Sequence, residues 1–277
     1  MSSLWGIRYV NESGARTIDS DHIVPKMVAR LSAANLTSTV DETDAEIVQT
    51  GWVMRTFTWR YLAEGGVNRP RQMFWTLPAD GTETYMVATN GGFDSVTGHD
   101  IYTAAVMARS TGTIGVPFGY AFALDYVDPP AGTGDMYGRQ TWRDDGTLTY
   151  DSRNAHLNLQ LIGGGVDTPI VIDTSTTVRD AVETVTSTAV GSLPAKAAVC
   201  FMNTATLNDF AVRFEGRGTA RYFAFFRVQS GVLYNIPLRY TRAFAENTSE
   251  PVNFSHTATM NRYNSHQFMV IDATMYD

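Results

Sequence analysis

Hydrophobic and polar positions alternate with a period of two along much of this chain, the signature of half-buried β-strands. The clearest run is 52–62, where Trp52, Met54, Thr56, Thr58 and Arg60 fall on one face and Val53, Arg55, Phe57, Trp59 and Tyr61 on the other. Met73-Phe74-Trp75-Thr76-Leu77 and Thr84-Tyr85-Met86-Val87-Ala88-Thr89 flank Pro78-Ala79-Asp80-Gly81, a turn sequence that predicts a hairpin. Further strands are expected at 23–31, 101–108 and 120–127, the last with Tyr120, Phe122, Leu124 and Tyr126 on a shared face. Later in the chain the pattern places strands at 157–162, 210–214, 221–228, 232–239 and 267–275, with a break at Gly163-Gly164-Gly165. One helix is expected over 177–190. Val178, Ala181, Val182, Val185 and Ala189 share a helical face there, and Thr177 with Asp180 fits a capping box.

One element occurs twice. Trp5-Gly6 through Asn11-Glu12-Ser13-Gly14 to Thr17-Ile18-Asp19-Ser20 matches Tyr137-Gly138 through Arg143-Asp144-Asp145-Gly146 to Thr149-Tyr150-Asp151-Ser152 at a constant offset of 132. The glycines, the Thr and the Asp-Ser pair are identical, and an aromatic and an acid are kept at Trp5/Tyr137 and Glu12/Asp144. Each copy predicts a β-hairpin. The closing Gly suits the left-handed position after a type I turn, and Asp-Ser stops the second strand by bonding to nearby backbone. Between the copies, Asp128-Pro129-Pro130-Ala131-Gly132-Thr133-Gly134-Asp135 cannot support a regular element and predicts a linker. The expectation is an all-β protein of two tandem β-sandwich domains, 1–128 and 136–277, separated by a 129–135 linker. Duplication is the expected origin, with at most one short helix.

Composition supports this picture. A chain of 277 residues with 44% hydrophobic and 18% charged residues is long enough for two cores and too apolar for wholesale disorder. A net charge of −7 argues against nucleic acid or an anionic membrane as the main partner, because phosphate binding needs clustered Lys and Arg. The opening Met1-Ser2-Ser3-Leu4-Trp5 has no basic region followed by an apolar run, so no signal peptide is expected. No stretch approaches the ~18 apolar residues of a membrane span. The Asn-x-Ser/Thr matches at Asn35, Asn247 and Asn253 therefore carry no weight as glycosylation sites.

No residue is singled out as catalytic, cofactor-binding or metal-ligating. His22, His99, His156, His256 and His266 are scattered without ligand spacing, and His99-Asp100 is an adjacent His–acid pair. Cys200 sits in the apolar run Ala197-Ala198-Val199-Cys200-Phe201-Met202 and reads as a buried small hydrophobe. The acidic run 41–46 reads as a solvated loop, without the spacing or central Gly of an EF-hand. No nucleophile elbow, phosphate loop or dinucleotide fingerprint is present. Trp52, Phe57, Trp59, Tyr61, Phe74 and Trp75 put aromatics on both faces of their strands. They read either as core with edge packing, or as a surface for another subunit or for stacking sugars.

The repeated signature, an aromatic-Gly start and a Gly-closed hairpin ending in Asp-Ser, resembles the openings of small tail-associated proteins of tailed bacteriophages. It covers about 16 residues in each half, and Arg139-Gln140 depart from the usual apolar residue. The resemblance implies a structural, non-enzymatic virion protein of the tail tip, baseplate or tail appendage. Such a minor tail protein would be made in the host cytoplasm and built into the particle. It would need no cofactor, and its partners would be other tail proteins and further copies of itself. A receptor-binding module for host surface glycans is the alternative expectation. A capsid or decoration protein and a polysaccharide-cleaving enzyme rank below it.

Overall fold

The strands of the first half are β1 (Tyr9–Val10), β2 (Arg16–Ile18), β3 (Lys26–Leu31), β4 (Ser38–Glu42), β5 (Trp52–Leu62), β6 (Arg71–Thr76), β7 (Thr84–Thr89), β8 (Phe93–Asp94), β9 (His99–Arg109) and β10 (Phe118–Ala123). Those of the second are β11 (Gln140–Trp142), β12 (Leu148–Asp151), β13 (Leu159–Val166), β14 (Thr186–Thr188), β15 (Ala197–Phe201), β16 (Phe210–Phe214), β17 (Gly218–Gln229), β18 (Val232–Arg239) and β19 (Ser265–Asp272). Two short 3₁₀ segments, Ala33–Asn35 and Ala273–Tyr276, are the only helical turns among the described residues. The structure, a computed structural model, describes residues 9–10, 16–18, 24–43, 48, 51–63, 68, 70–77, 83–89, 92–109, 112–123, 140–142, 148–152, 154–166, 186–188, 193–201, 210–214, 218–229, 231–239 and 265–277. The fold is all-β and sandwich-like.

Two large antiparallel sheets form the body. The six-stranded sheet runs β3-β10-β6-β15-β19-β13, and the nine-stranded sheet runs β4-β5-β9-β7-β17-β18-β14, with β8 beside β9 and β16 beside β17. Both orders have a centre. Matching β3 to β13, β5 to β14, β6 to β15, β7 to β17, β9 to β18 and β10 to β19 keeps chain order, sheet and neighbours. Each half thus contributes three matched strands to each sheet, with β4, β8 and β16 as unmatched additions, and the two are joined edge to edge through β6–β15 in one sheet and β7–β17 in the other. The halves divide between Ala123 and Gln140. The expected 129–135 linker lies outside the described residues.

The expectation of two separate cores is corrected. Side chains from both halves fill the space between the sheets: Leu31, Phe57, Trp59, Trp75 and Met86 pack in one cluster with Val199, Phe226, Leu233, Phe268 and Val270. Burying each such side chain is worth about 1.5–3 kcal/mol. A Pro/Gly stretch ends a strand, but the pairing of the next strand is decided by distant residues, so composition there could not show that the core continues.

The outer faces of both sheets are apolar too. Phe74, Tyr120, Phe122, Cys200, Met269 and Ile271 form a second cluster beneath Ala273 and Tyr276, while Trp52, Tyr85, Met107, Phe225, Ile236 and Leu238 form a third with Val48. Alternate residues of one strand therefore enter different clusters, as with Trp52 and Met54 against Phe57 and Trp59. Gly119 faces Trp75 across the ladder, and a Cβ there would lie 2.7 Å from the indole and 3.0 Å from Leu31. Glycine lets the indole lie flat on the strand.

Several local expectations change. The strands flanking Pro78-Ala79-Asp80-Gly81 do not form a hairpin: β6 pairs with β10 and β15 in one sheet and β7 with β9 and β17 in the other, because each finds its partners far along the chain. Gly163-Gly164-Gly165 is not a break but part of β13, paired with Phe268, Gln267 and His266 of β19. Glycine has no barrier to the extended conformation, and a neighbouring strand supplies the order it lacks. Within the expected 177–190 helix, Thr186–Thr188 is strand β14, in keeping with its β-branched residues, and 177–185 and 189–190 lie outside the described residues. Asp41 and Glu42 belong to β4 rather than to a loop, because β5 pairs alongside them; 44–46 lie outside the described residues.

Candidate functional site

Both hairpins are present as two-stranded antiparallel pairs separate from the large sheets. Tyr9 pairs with Ile18 and Val10 with Arg16, with a register shift between Tyr9 and Val10. Thr141 pairs with Tyr150 and Trp142 with Leu148, with the shift between Thr141 and Trp142. Each of these positions is related to its counterpart by the offset of 132 found in the sequence. The turns at 11–15 and 143–147 lie outside the described residues.

The second hairpin is tied to the body from its end. Asp151 is buried and accepts a 2.9 Å hydrogen bond from Gln140 Nε2. The Tyr150 ring stacks on His156 at 4.5 Å, and the His156 carbonyl accepts from the Tyr276 hydroxyl at 2.8 Å. Residues 155–157 then pair with the entry to β3. The Met27 amide donates to the Ala155 carbonyl at 2.7 Å, and the Leu157 amide donates to the Pro25 carbonyl at 2.8 Å. Pro25 and Leu157 are equivalent under the 132 offset, so the segments leading from the two hairpins into β3 and β13 meet each other.

Two polar clusters knit strands together. Arg30 Nη2 and the Tyr120 hydroxyl donate to Asp277 Oδ1 at 2.9 and 3.1 Å, and Lys196 binds Oδ2. Burial works to raise the Asp277 pKa, but the hydrogen bonds from Lys196 and Tyr120 and the charges of Lys196 and Arg30 outweigh it and hold the carboxyl below its usual range. The second cluster is buried. Arg71 Nη2 lies 3.4 Å from Asp100 Oδ2, with 7% and 10% of the two side chains exposed, and the Tyr102 hydroxyl donates to the same oxygen at 3.3 Å. Burial, then the Asp100 charge, raises the Tyr102 pKa.

Arg71, Asp100 and Tyr102 border a recess of about 360 Å³ shared with Lys26, Tyr61 and Leu62. Among the described residues, no Ser, Cys or His lines it. Asp100 and His99 are consecutive strand residues and point to opposite faces: Asp100 turns to Arg71, whereas His99 Nδ1 lies 2.8 Å from its own loop at Thr97 O. The adjacent pair in the sequence is therefore not a pair in space. His156 contributes a backbone bridge and a ring stack, and His266 a register position in β19; His22 and His256 lie outside the described residues. Asp41 is held by Arg55, whose Nη2 donates to Oδ2 at 2.8 Å, and this hydrogen bond lowers the carboxyl pKa. Among the described residues, no three His, Cys, Asp or Glu side chains converge as a metal site would need, and no helix is long and apolar enough to cross a membrane.

The aromatics weighed as a recognition surface are core. Trp52, Phe57, Trp59, Phe74 and Trp75 are each at most 3% exposed, and Tyr61 is half-buried with its hydroxyl on the Arg30 carbonyl. A sugar-stacking platform on Trp52, Phe57, Trp59, Phe74 and Trp75 is overturned, because these five rings are buried by the chain itself. Exposed apolar side chains lie elsewhere, at Val40, Leu62, Val96, Trp142, Leu159, Ile162 and Met275. Sequence alone did not single out the Arg71–Asp100 pair. The available signal was a charge at the end of each of two apolar strands.

No family model, no curated protein and no solved structure matches this chain.

Proposed function

We propose that this chain is a structural subunit of a tailed-bacteriophage virion, in the tail tip, baseplate or a tail appendage, that acts by burying subunit interfaces. The observation that carries the reading is the pair of hairpins with a common register, each leading into an equivalent sandwich unit. The hairpins carry the resemblance to tail-associated proteins, and duplicated β units suit a protein that presents related surfaces to several neighbours. The polar clusters support it as well, since the described carboxylates at Asp41, Asp100, Asp151 and Asp277 are spent on joining strands. The partners are other tail proteins and further copies of this chain, and no catalytic step is assigned. Mass spectrometry of purified particles tests it: peptides of this chain are expected in the virion at a fixed stoichiometry, and their presence in infected cells but absence from particles would overturn it.

A further inference from the structure

We infer that β13 is the edge along which a second copy of this chain adds, antiparallel, to continue the six-stranded sheet from one molecule into the next. Among the described residues β13 has a neighbour on one side only, β19. Its sequence, Leu-Gln-Leu-Ile-Gly-Gly-Gly-Val, holds no charge and no proline, two of the devices that blunt a strand edge, and its register irregularity lies at its start, between Leu159 and Leu161, leaving Leu161–Val166 in regular register. Leu159 and Ile162 are 38% and 63% exposed, and the three glycines present no side chain to keep another backbone away.

The equivalent strand of the other half, β3, shows what a protected edge looks like in this fold. It carries Lys26 and Arg30, and the Arg30 carbonyl accepts from Asn35 Nδ2 at 2.6 Å and from the Tyr61 hydroxyl at 2.7 Å. The entry to β3 is paired with residues 155–157. At the edge of the nine-stranded sheet, β4 carries the Asp41–Arg55 ion pair.

The occupant is a second copy because the fold already joins this unit to its like by antiparallel edges, β6 to β15 and β7 to β17. A β13–β13 contact repeats that mode, is self-complementary and closes as a two-fold dimer. It deepens the subunit-interface reading above by naming the surface and the partner.

Sedimentation of the full chain over a concentration series tests it, with Ile162→Lys as the edge variant and Val40→Lys, on β4, as the control. The expected result is a dimer whose dissociation constant rises about tenfold or more in Ile162→Lys and is unchanged in Val40→Lys. Hydrogen exchange on the wild-type chain is expected to show protection of the 159–166 amides that grows with concentration. A chain that stays monomeric throughout, or a dimer weakened by Val40→Lys and not by Ile162→Lys, overturns the inference. Monomeric chain found in particles removes this edge alone, whereas a β13 dimer absent from particles removes the virion reading alone.

Discussion

Trp75 and Val199 are the register pair through which the six-stranded sheet passes from one half of the chain to the other. In the nine-stranded sheet the same passage is made by Met86 and Phe226. The ladder contact is brief at both joints, so the halves are held less by backbone pairing than by the apolar cluster that contains all four side chains.

One cooperative unfolding transition is therefore expected rather than two. Calorimetry should give a van't Hoff enthalpy equal to the calorimetric one. Phe226→Ala, at the joint, should cost about 3–5 kcal/mol while leaving a single transition.

Gly119→Ala places a methyl against the Trp75 ring, where 2.7 Å is available. Overpacking of this kind costs about 1–3 kcal/mol. Gly92→Ala meets nothing within 4 Å and should change stability little. Urea denaturation of the two variants checks the contrast.

Arg71→Met strands the buried Asp100 carboxylate, and a loss of about 3–5 kcal/mol is expected. Replacing both partners with apolar residues should recover part of it, since the remaining desolvated charge is gone. A double-mutant cycle by chemical denaturation measures the coupling.

Acid should release the clasp at Asp277. Its carboxyl pKa is held below the ordinary value of 3.8, so the stabilisation is complete above that value and is lost as pH falls through the folded-state pKa. Asp277→Asn should cost about 1 kcal/mol or less near neutrality, because the group is partly exposed and screened. The difference from wild type should vanish at the acid end of a pH series of denaturation curves.

Cys200 should be inert in the native chain. Burial pushes its thiol pKa up to about 12, with an opposing backbone hydrogen bond from Met73 too weak to offset it. A thiol reagent at pH 8 should label it only after denaturation, since the thiolate is the reactive form.

Strand identity was legible because it is local. The alternation through 52–62 separated Trp52 and Met54 from Phe57 and Trp59, and those sets do enter different clusters. Thr84–Thr89, Phe210–Phe214 and Val232–Arg239 are strands with the expected ends. Partnership was not legible, because it is set by residues far apart in the chain. Nothing near Val199 marks Trp75 as its neighbour, and nothing near Asp277 announces Arg30, Tyr120 and Lys196. The aromatics on both faces of β5 and β6 were the trace of a fold with three apolar layers. A single strand cannot say whether its second face is covered by its own chain or by another molecule.

The meeting of Pro25 with Leu157 bears on how such a molecule is produced. A lone unit of this design would have to find its twin by diffusion, and its abundance would decide how often it succeeded. Carried on one polypeptide, the twins see each other at an effective concentration of about millimolar whatever the expression level. On one polypeptide the two outer strands need not match, and here one carries lysine and arginine while its counterpart carries three glycines.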